Sequence, residues 1–294
     1  MQDLGVLHYI LGLEIYFWKG HAFISQNRYA LSMLKKFQMK NSKGIDTPME
    51  HTVKVPIKYD EKSSVDITLY RSLIGSLIWL TVTRPNLSFC VHKLSQHMQD
   101  PKLYHWKLAK RVLGYISSTL DYGLLYKGED LTLIAFLDSD FAGDRLDRKS
   151  TSAYTIFHGG DLVSWISKKQ ATISLSSCEV EYKSLTTTTK EVLWIKRLLL
   201  ELKCYADEDL PIIKNDIISV QALANNLVFH ARSKHIEVAH HFVREKVIGK
   251  EISLEHVEFS DCVADFLTKP LLKNVFIKMR SNLGLISKSM LIKI

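Results

Sequence analysis

Asp138, Glu181, Asp216 and Asp265 are the residues whose type and position could do chemistry together. By sequence pattern each falls at the end of a regular element. Asp138 closes a strand, Glu181 lies in the first turn of a long helix, Asp216 follows another strand, and Asp265 enters a last helix. Ligands of open α/β sheets collect at such strand ends. Carboxylate oxygens suit hard cations such as Mg²⁺, and two such ions about 4 Å apart can activate a water and stabilise the leaving oxygen of a phosphodiester. An isolated Asp or Glu is far more often a solvated surface acid, so the set matters only if the fold gathers it. A phosphatase reading of Asp138-Ser139-Asp140 is weaker, because a lone D-x-D recurs by chance.

The elements that must position these acids can be read from periodicity. The turn residues Lys127-Gly128-Glu129-Asp130 precede a change of pattern, after which Leu131, Leu133, Ala135 and Leu137 alternate as a half-buried strand should. Strands at 152–158 and 161–167 flank Gly159-Gly160, a pair free to take the positive φ of a tight hairpin. Ser176-x-x-Glu179 is a capping box opening a helix to about Lys203, with Leu185, Val192, Ile195, Leu199 and Leu202 on one side. A strand at 210–214 delivers Asp216. A short helix, a helix at 234–247 and a strand at 252–258 then precede the helix expected at Asp265. The order predicts an α/β fold, a mixed sheet with flanking helices.

The first half reads differently. Strand material at 7–16, a turn at Lys19-Gly20 and a strand at 22–25 lead into a helix at 28–37. Helices follow at 69–83, stopped by Arg84-Pro85, at 88–98 and at 105–117, so this region is expected to be mostly helical. Three segments result: 1–126, 127–275 and a tail at 276–294. The 294 residues, 46% of them hydrophobic, suffice for two cores. No apolar run has membrane-spanning length, and the N-terminus lacks a basic start and carries Asp3 and Glu14, which predicts a soluble intracellular protein without membrane contact. Cys90, Cys178, Cys204 and Cys262 form no C-x-x-C pair, and His235, His240 and His241 lack partners in register, so zinc is not expected. The net charge of +8 is uneven: residues 1–130 hold 17 Lys/Arg against 11 Asp/Glu, and the remainder 22 against 20. The first half is therefore the better phosphate-tracking surface.

Longer stretches carry a resemblance. LDSDFAGDRLDRKSTSAY, VSWISKKQATISLSSCEVEY, NLVFHARSKHIEVAHHFVREKV and VADFLTKPL resemble, in order and spacing, the ribonuclease H portion of copia-type (Ty1/copia) LTR retrotransposon Pol polyproteins. Upstream, DLGVLHYILGLEI, FISQNRYALSMLKKFQM, YRSLIGSLIWLTVTRPNLSFCVHKLSQHM and RVLGYISSTLDYGLLY resemble the end of their reverse transcriptase palm with its thumb and connection. The resemblance runs from Asp3 to about Leu271. It implies a ribonuclease H-like mixed sheet with flanking helices, preceded by a mostly helical truncated thumb/connection region. It implies hydrolysis of the RNA strand of an RNA–DNA hybrid by two Mg²⁺ ions, with Mn²⁺ as an alternative, in the cytoplasm or nucleus. Asp138, Glu181, Asp216 and Asp265 become the metal ligands, with Asp140 structural and Glu179 the capping partner. Ser139, Arg148, Lys149, Ser150, Lys168 and Lys169 become candidate contacts to the hybrid.

The chain also departs from the family pattern. It has Asn215-Asp216-Ile217 for Cys-Asp-Asn, Leu227 for Pro, Cys178 for Thr and Ala153 for Gly, none of which removes a proposed ligand. Such drift keeps open a second reading, a catalytically silent remnant that at most binds nucleic acid. The chain contains no Asp-Asp pair, so polymerisation is not expected. A partial palm should also expose bare strand edges and apolar surface near Leu7 to Tyr16.

Overall fold

The hairpin-forming N-terminal stretch begins the first of two units, Met1–Lys127 together with Pro270–Ile294, while Gly128–Lys269 forms the second. A computed structural model of the protein describes residues 5–51, 65–128, 130–206, 209–216 and 234–293. In the first unit, β1 (Tyr9–Ile10), β2 (Leu13–Trp18) and β3 (His21–Ser25) lead into α1 (Asn27–Lys36), α2 (Ile67–Leu80), α3 (Ser88–Ser95), α4 (Leu103–Ser118) and β4 (Tyr122–Tyr126). The second unit holds β5 (Leu133–Asp140), β6 (Thr151–His158), β7 (Asp161–Lys169), α5 (Ser177–Glu201), β8 (Ile212–Asn215), α6 (Lys234–Ile248) and β9 (Ser253–His256). The chain then returns to the first unit with α7 (Lys273–Asn282) and β10 (Leu285–Ser287).

The first unit is more than helical. Its five-stranded sheet runs β1-β2-β3-β4-β10, with every neighbouring pair antiparallel. The single strand expected at 7–16 is broken because Leu11 and Gly12 both take positive φ, +49° and +81°, which folds it into a two-residue hairpin. β1 is the sheet's edge, and Tyr9, Leu11, Phe17 and Trp18 are exposed on this hairpin and its continuation. β4 lies in YGLLY, a short segment whose strand character comes from its partners. Gly123 is there because a Cβ would stand 2.5 Å from the carbonyl oxygen of Ile24. Residues 276–294, expected as a tail, supply most of α7 and all of β10, whose Leu285 pairs with Leu124.

α2 ends at Leu80, before the expected stop, and Arg84, which lies just beyond it, is a buried structural centre. Its guanidinium donates to the carbonyl oxygen of Thr119 at 2.9 Å and to Thr119 Oγ1 at 2.6 Å, and it lies against the rings of Tyr115 and Tyr122. Arg280 of α7 donates to the hydroxyls of the same two tyrosines, each at 3.1 Å. Burial presses the Arg84 pKa down, and the charge of Arg280 adds to this.

In the second unit the sheet order is β7-β6-β5-β8-β9. The three-strand meander β5-β6-β7 is antiparallel, with Gly159 and Gly160 at φ +60° and +78° in its hairpin turn, while β5, β8 and β9 are mutually parallel. This is the mixed sheet with flanking helices that the pattern predicts. Leu133, Ala135 and Leu137 of β5 join Ile156, Leu185, Val192, Ile195 and Ile213 in one core. The threonine run in α5 is accommodated by back-bonding: Thr186, Thr187 and Thr188 donate to the carbonyls of Tyr182, Lys183 and Ser184. The helix expected at Asp265 is a short 3₁₀ turn, Val263–Leu267. The short helix expected after Asp216 and the NLVFHARS stretch lie outside the described residues. Among the described residues no helix is long and apolar enough to cross a membrane.

Replacing Arg84 with Ala strands the Thr119 acceptors and leaves a void against Tyr115. The expected loss is about 3 kcal/mol of unfolding free energy. Urea unfolding would measure it, and a change under about 1 kcal/mol would count against Arg84 as a structural centre.

Candidate functional site

β5 is the central strand of the second unit, and its last turns of chain set the site. Asp138 pairs across to Ala153 of β6 and is 6% exposed. The 3₁₀ turn carrying Asp265 is fixed against the same strand, because Cys262 Sγ reaches the carbonyl oxygen of Leu137 at 3.3 Å and Thr268 Oγ1 donates to Asp138 Oδ2. Thr268 Oγ1 also lies 3.1 Å from the carbonyl oxygen of Asp265, and Lys269 Nζ forms an ion pair with Asp265 Oδ1. Asp216 directly follows β8, the parallel neighbour of β5.

The N-terminus of α5 separates its two glutamates. Ser176 Oγ accepts from the Glu179 N–H at 3.2 Å, and Glu179 Oε2 accepts from the Leu175 N–H at 2.9 Å, one residue earlier than a reciprocal capping box requires. Glu179 also pairs with Lys183 at 2.7 Å. Glu179 is thereby committed to the cap, whereas Glu181 is 3% exposed and has Oε2 buried without a hydrogen-bond partner. Asp140, the last residue of β5, lies against Gly143, and its charge also reaches Lys269. A Cβ on Gly143 would stand 1.5 Å from Asp140 Oδ2, so glycine there is what lets that carboxylate tuck in.

Electrostatics ties the four acids together. The Glu181 carboxyl is pushed up to about 9 by burial, then by the charges of Asp138 and Asp216. Asp138 is raised to about 6 by burial and by Asp265, with Thr268 and Lys269 pulling the other way. Asp216 is raised by burial and by Asp138, and Asp265 is raised by burial against the opposing pull of Lys269. Glu181 Oε2, Asp216 Oδ1 and Asp265 Oδ1 are buried without hydrogen-bond partners, and the single positive charge of Lys269, which pulls against all four acids, does not balance them. An all-oxygen donor set of this kind suits Mg²⁺ or Mn²⁺ rather than zinc. Among the described residues, however, no group of three or more His, Cys, Asp or Glu is arranged to hold a metal ion as it stands. Thr268 and Lys269, which the sequence reading passed over, occupy part of the cluster. Their spacing of three and four residues after Asp265 was the available signal.

The expected substrate contacts scatter. Ser139 Oγ lies 3.4 Å from Ser152 Oγ. Arg148 is exposed at φ +57° and Lys149 is half-buried in the same loop, while Ser150 is buried and accepts from the Ala142 N–H. Lys168 is exposed, but Lys169 is engaged by Asp144 at 2.6 Å and Asp147 at 2.9 Å, so that cation braces the loop instead of facing outward. A cavity of about 310 Å³ between β6, β7 and α5 is lined by Ser152, Lys168, Gln170, Thr172, Lys183 and Thr187, among others.

These observations define a mixed α/β domain with an acidic site at the carboxyl end of its central strand. No protein-family model matches the chain. It is 40% identical over 281 residues to the retrovirus-related Pol polyprotein from transposon RE2 of Arabidopsis thaliana, covering 95% of this chain and 19% of that polyprotein. To the Pol polyprotein from transposon TNT 1-94 of Nicotiana tabacum it is 34% identical, covering 94% and 21%. An uncharacterized mitochondrial protein of Arabidopsis thaliana is 38% identical over 66% of this chain and 80% of its own length. Its homologues are thus retrovirus-related Pol polyproteins of copia-type transposons, 34–40% identical over most of this chain, which spans about a fifth of their length. Among solved structures, RNase H1 from the halophilic archaeon Halobacterium salinarum matches at 16% identity and a TM-score of 0.33, covering 47% of this chain and 94% of that one.

The raised carboxyls predict how stability depends on pH without metal. For Glu181, the folded value of about 9 lies above the ordinary 4.5, so its contribution is full below about pH 4.5 and is lost as pH rises through about 9. Thermal unfolding in EDTA should show a melting temperature that falls across this window, with a shallower fall in Glu181→Gln. Equal slopes for the two proteins would refute the crowding of Glu181.

Proposed function

We propose that the second unit is a ribonuclease H domain that hydrolyses the RNA strand of an RNA–DNA hybrid, and that the first unit derives from the end of a reverse transcriptase. The observation that carries the reading is the gathering of Asp138, Glu181, Asp216 and Asp265 at one end of the central sheet, with buried oxygens that no hydrogen-bond donor satisfies. Homology to these Pol polyproteins supplies the substrate class. In sequence terms the assignment is 1–126 for the reverse transcriptase part, 127–275 for the nuclease and 276–294 for the remainder, although residues 270–294 gather with the first unit.

Asp138, Glu181, Asp216 and Asp265 would hold divalent ions, Mg²⁺ first and Mn²⁺ as a substitute. Bound ions would supply charge to activate a water and to stabilise the oxygen that leaves phosphorus. The chain's own contribution is position and environment. The Cys262 and Thr268 contacts fix the Asp265 turn against β5, and the Ser176 cap with its Glu179 partner sets where α5 presents Glu181. Burial keeps bulk water from the carboxylates, so an incoming cation meets little dielectric screening. In-line attack of water would break the P–O3′ bond, leaving a 5′-phosphate and a 3′-hydroxyl. Arg148, Lys149 and Lys168 would meet phosphates, with Ser139 and Ser150 as neighbouring hydroxyls. Lys169 would act through the loop it braces.

A second reading is a silent remnant that binds nucleic acid without cutting it. The absence, among the described residues, of a ligand group ready for metal favours it. A labelled RNA–DNA hybrid separates the two. The full chain should cleave the RNA strand with Mg²⁺ but not in EDTA, leave duplex RNA intact, and slow by about 100-fold or more as Asp138→Asn, the scale of losing several kcal/mol of charge stabilisation. Binding without cleavage by a folded chain would leave the remnant reading standing.

A further inference from the structure

Thr268 and Lys269 divide the four acids into two pairs. Thr268 Oγ1 is bonded to Asp138, and Lys269 Nζ is ion-paired with Asp265 Oδ1, an oxygen otherwise without a hydrogen-bond partner, whereas Glu181 Oε2 and Asp216 Oδ1 are buried with neither a hydrogen-bond partner nor an ion pair. The ammonium is also held from a second side, 4.5 Å over the ring of Phe259. Phe259 opens one 3₁₀ turn, Phe259–Asp261, and Asp265 lies in the next, Val263–Leu267, so one short stretch of chain builds both the acid and the cradle of the cation against it. The Lys269 side chain keeps 35% of its surface exposed, against 5% for Asp265, so the ammonium has a way out to solvent that the carboxylate lacks. An ammonium and a divalent ion on one carboxylate oxygen repel each other at short range, since Mg²⁺ binds that oxygen directly at about 2 Å.

We propose that Lys269 is a built-in competitor for the divalent ion at Asp265. It occupies that carboxylate in the metal-free chain and has to leave it before a metal takes its place. The inference rests on the reading of the four acids as a metal site. It accounts for a partly exposed ammonium that is held between a buried carboxylate and an exposed ring. Lys269 supplies one positive charge where a bound ion would supply two, and its charge reaches Glu181 and Asp216 without bonding to either. Phe259, 55% exposed, acts as the rest on which the ammonium is parked. A lysine that only stabilised the fold would not compete, and its removal would leave metal affinity unchanged or weaker.

The test is Mn²⁺ binding to the full chain, read from the electron paramagnetic signal of free Mn²⁺, so that no cleavage is needed. Lys269→Met should lower the half-saturating Mn²⁺ concentration by about fivefold, the size expected when a partly exposed ion pair stops competing. Phe259→Ala, which alters an exposed ring and no carboxylate, should shift it the same way by a smaller factor, and it decides the matter if Lys269→Met does not fold. Unchanged or weaker binding in the folded variants would overturn the proposal. If the wild-type chain has no saturable site that Asp138→Asn abolishes, it is the metal-site reading that fails, and this inference fails with it.

Discussion

Several carboxylates brought together away from water cannot all be ionised unless positive charge joins them. That constraint organises the second unit. β5 brings Asp138 to the site, its parallel neighbour β8 brings Asp216, the cap of α5 brings Glu181, and a 3₁₀ turn bonded back to β5 brings Asp265. Burial is the largest cause of the raised pKa of each acid, and neighbouring charge adds to it, from Asp265 at Asp138 and from Asp138 and Asp216 at Glu181. The remaining architecture serves as a frame stiff enough to hold the repulsion, with a central strand paired on both sides and a long helix packed over it through Leu185, Val192 and Ile195.

The first unit meets the opposite charge and solves it differently. Arg84 and Arg280 are both buried, and their hydrogen bonds run to hydroxyl and carbonyl oxygens, with the rings of Tyr115 and Tyr122 against the guanidinium planes. A guanidinium tolerates this because it is planar, weakly hydrated and stacks on aromatic faces. A carboxylate has no comparable affinity for an aromatic face. The two units thus show a buried cation serving as a structural centre, and buried anions that crowd one another around a single lysine.

How far the sequence disclosed this depended on the range of the interaction. Alternation at Leu133, Ala135 and Leu137, the Gly159-Gly160 turn and the Ser176 cap are local signals, and the strands and helix they imply are present. The break at Leu11-Gly12 was hidden because a leucine at positive φ gives no compositional warning. β4 and β10 are short, and their partners lie far away in sequence, β3 about a hundred residues before β4 and β10 across more than half the chain, which no window of residues reveals. At the site, the acids were legible from their element ends and family context. The partner of each was not: Lys169 looked like a free cation until Asp144 and Asp147 closed on it, and Lys269 looked like one more lysine in a motif.

The return of residues 270–294 to the first unit also has a consequence for the order of assembly. On a ribosome the nuclease-like unit, Gly128–Lys269, is complete while the sheet of the other unit still lacks the strand that borders β4. Domains generally fold as units during synthesis. Here the unit that starts first must finish last, and until Leu285–Ser287 emerges the unpaired edge of β4 is offered to whatever else is nearby. The insertion of one unit within another therefore imposes a waiting period on half of the protein, during which its safety depends on how quickly the rest of the chain is made.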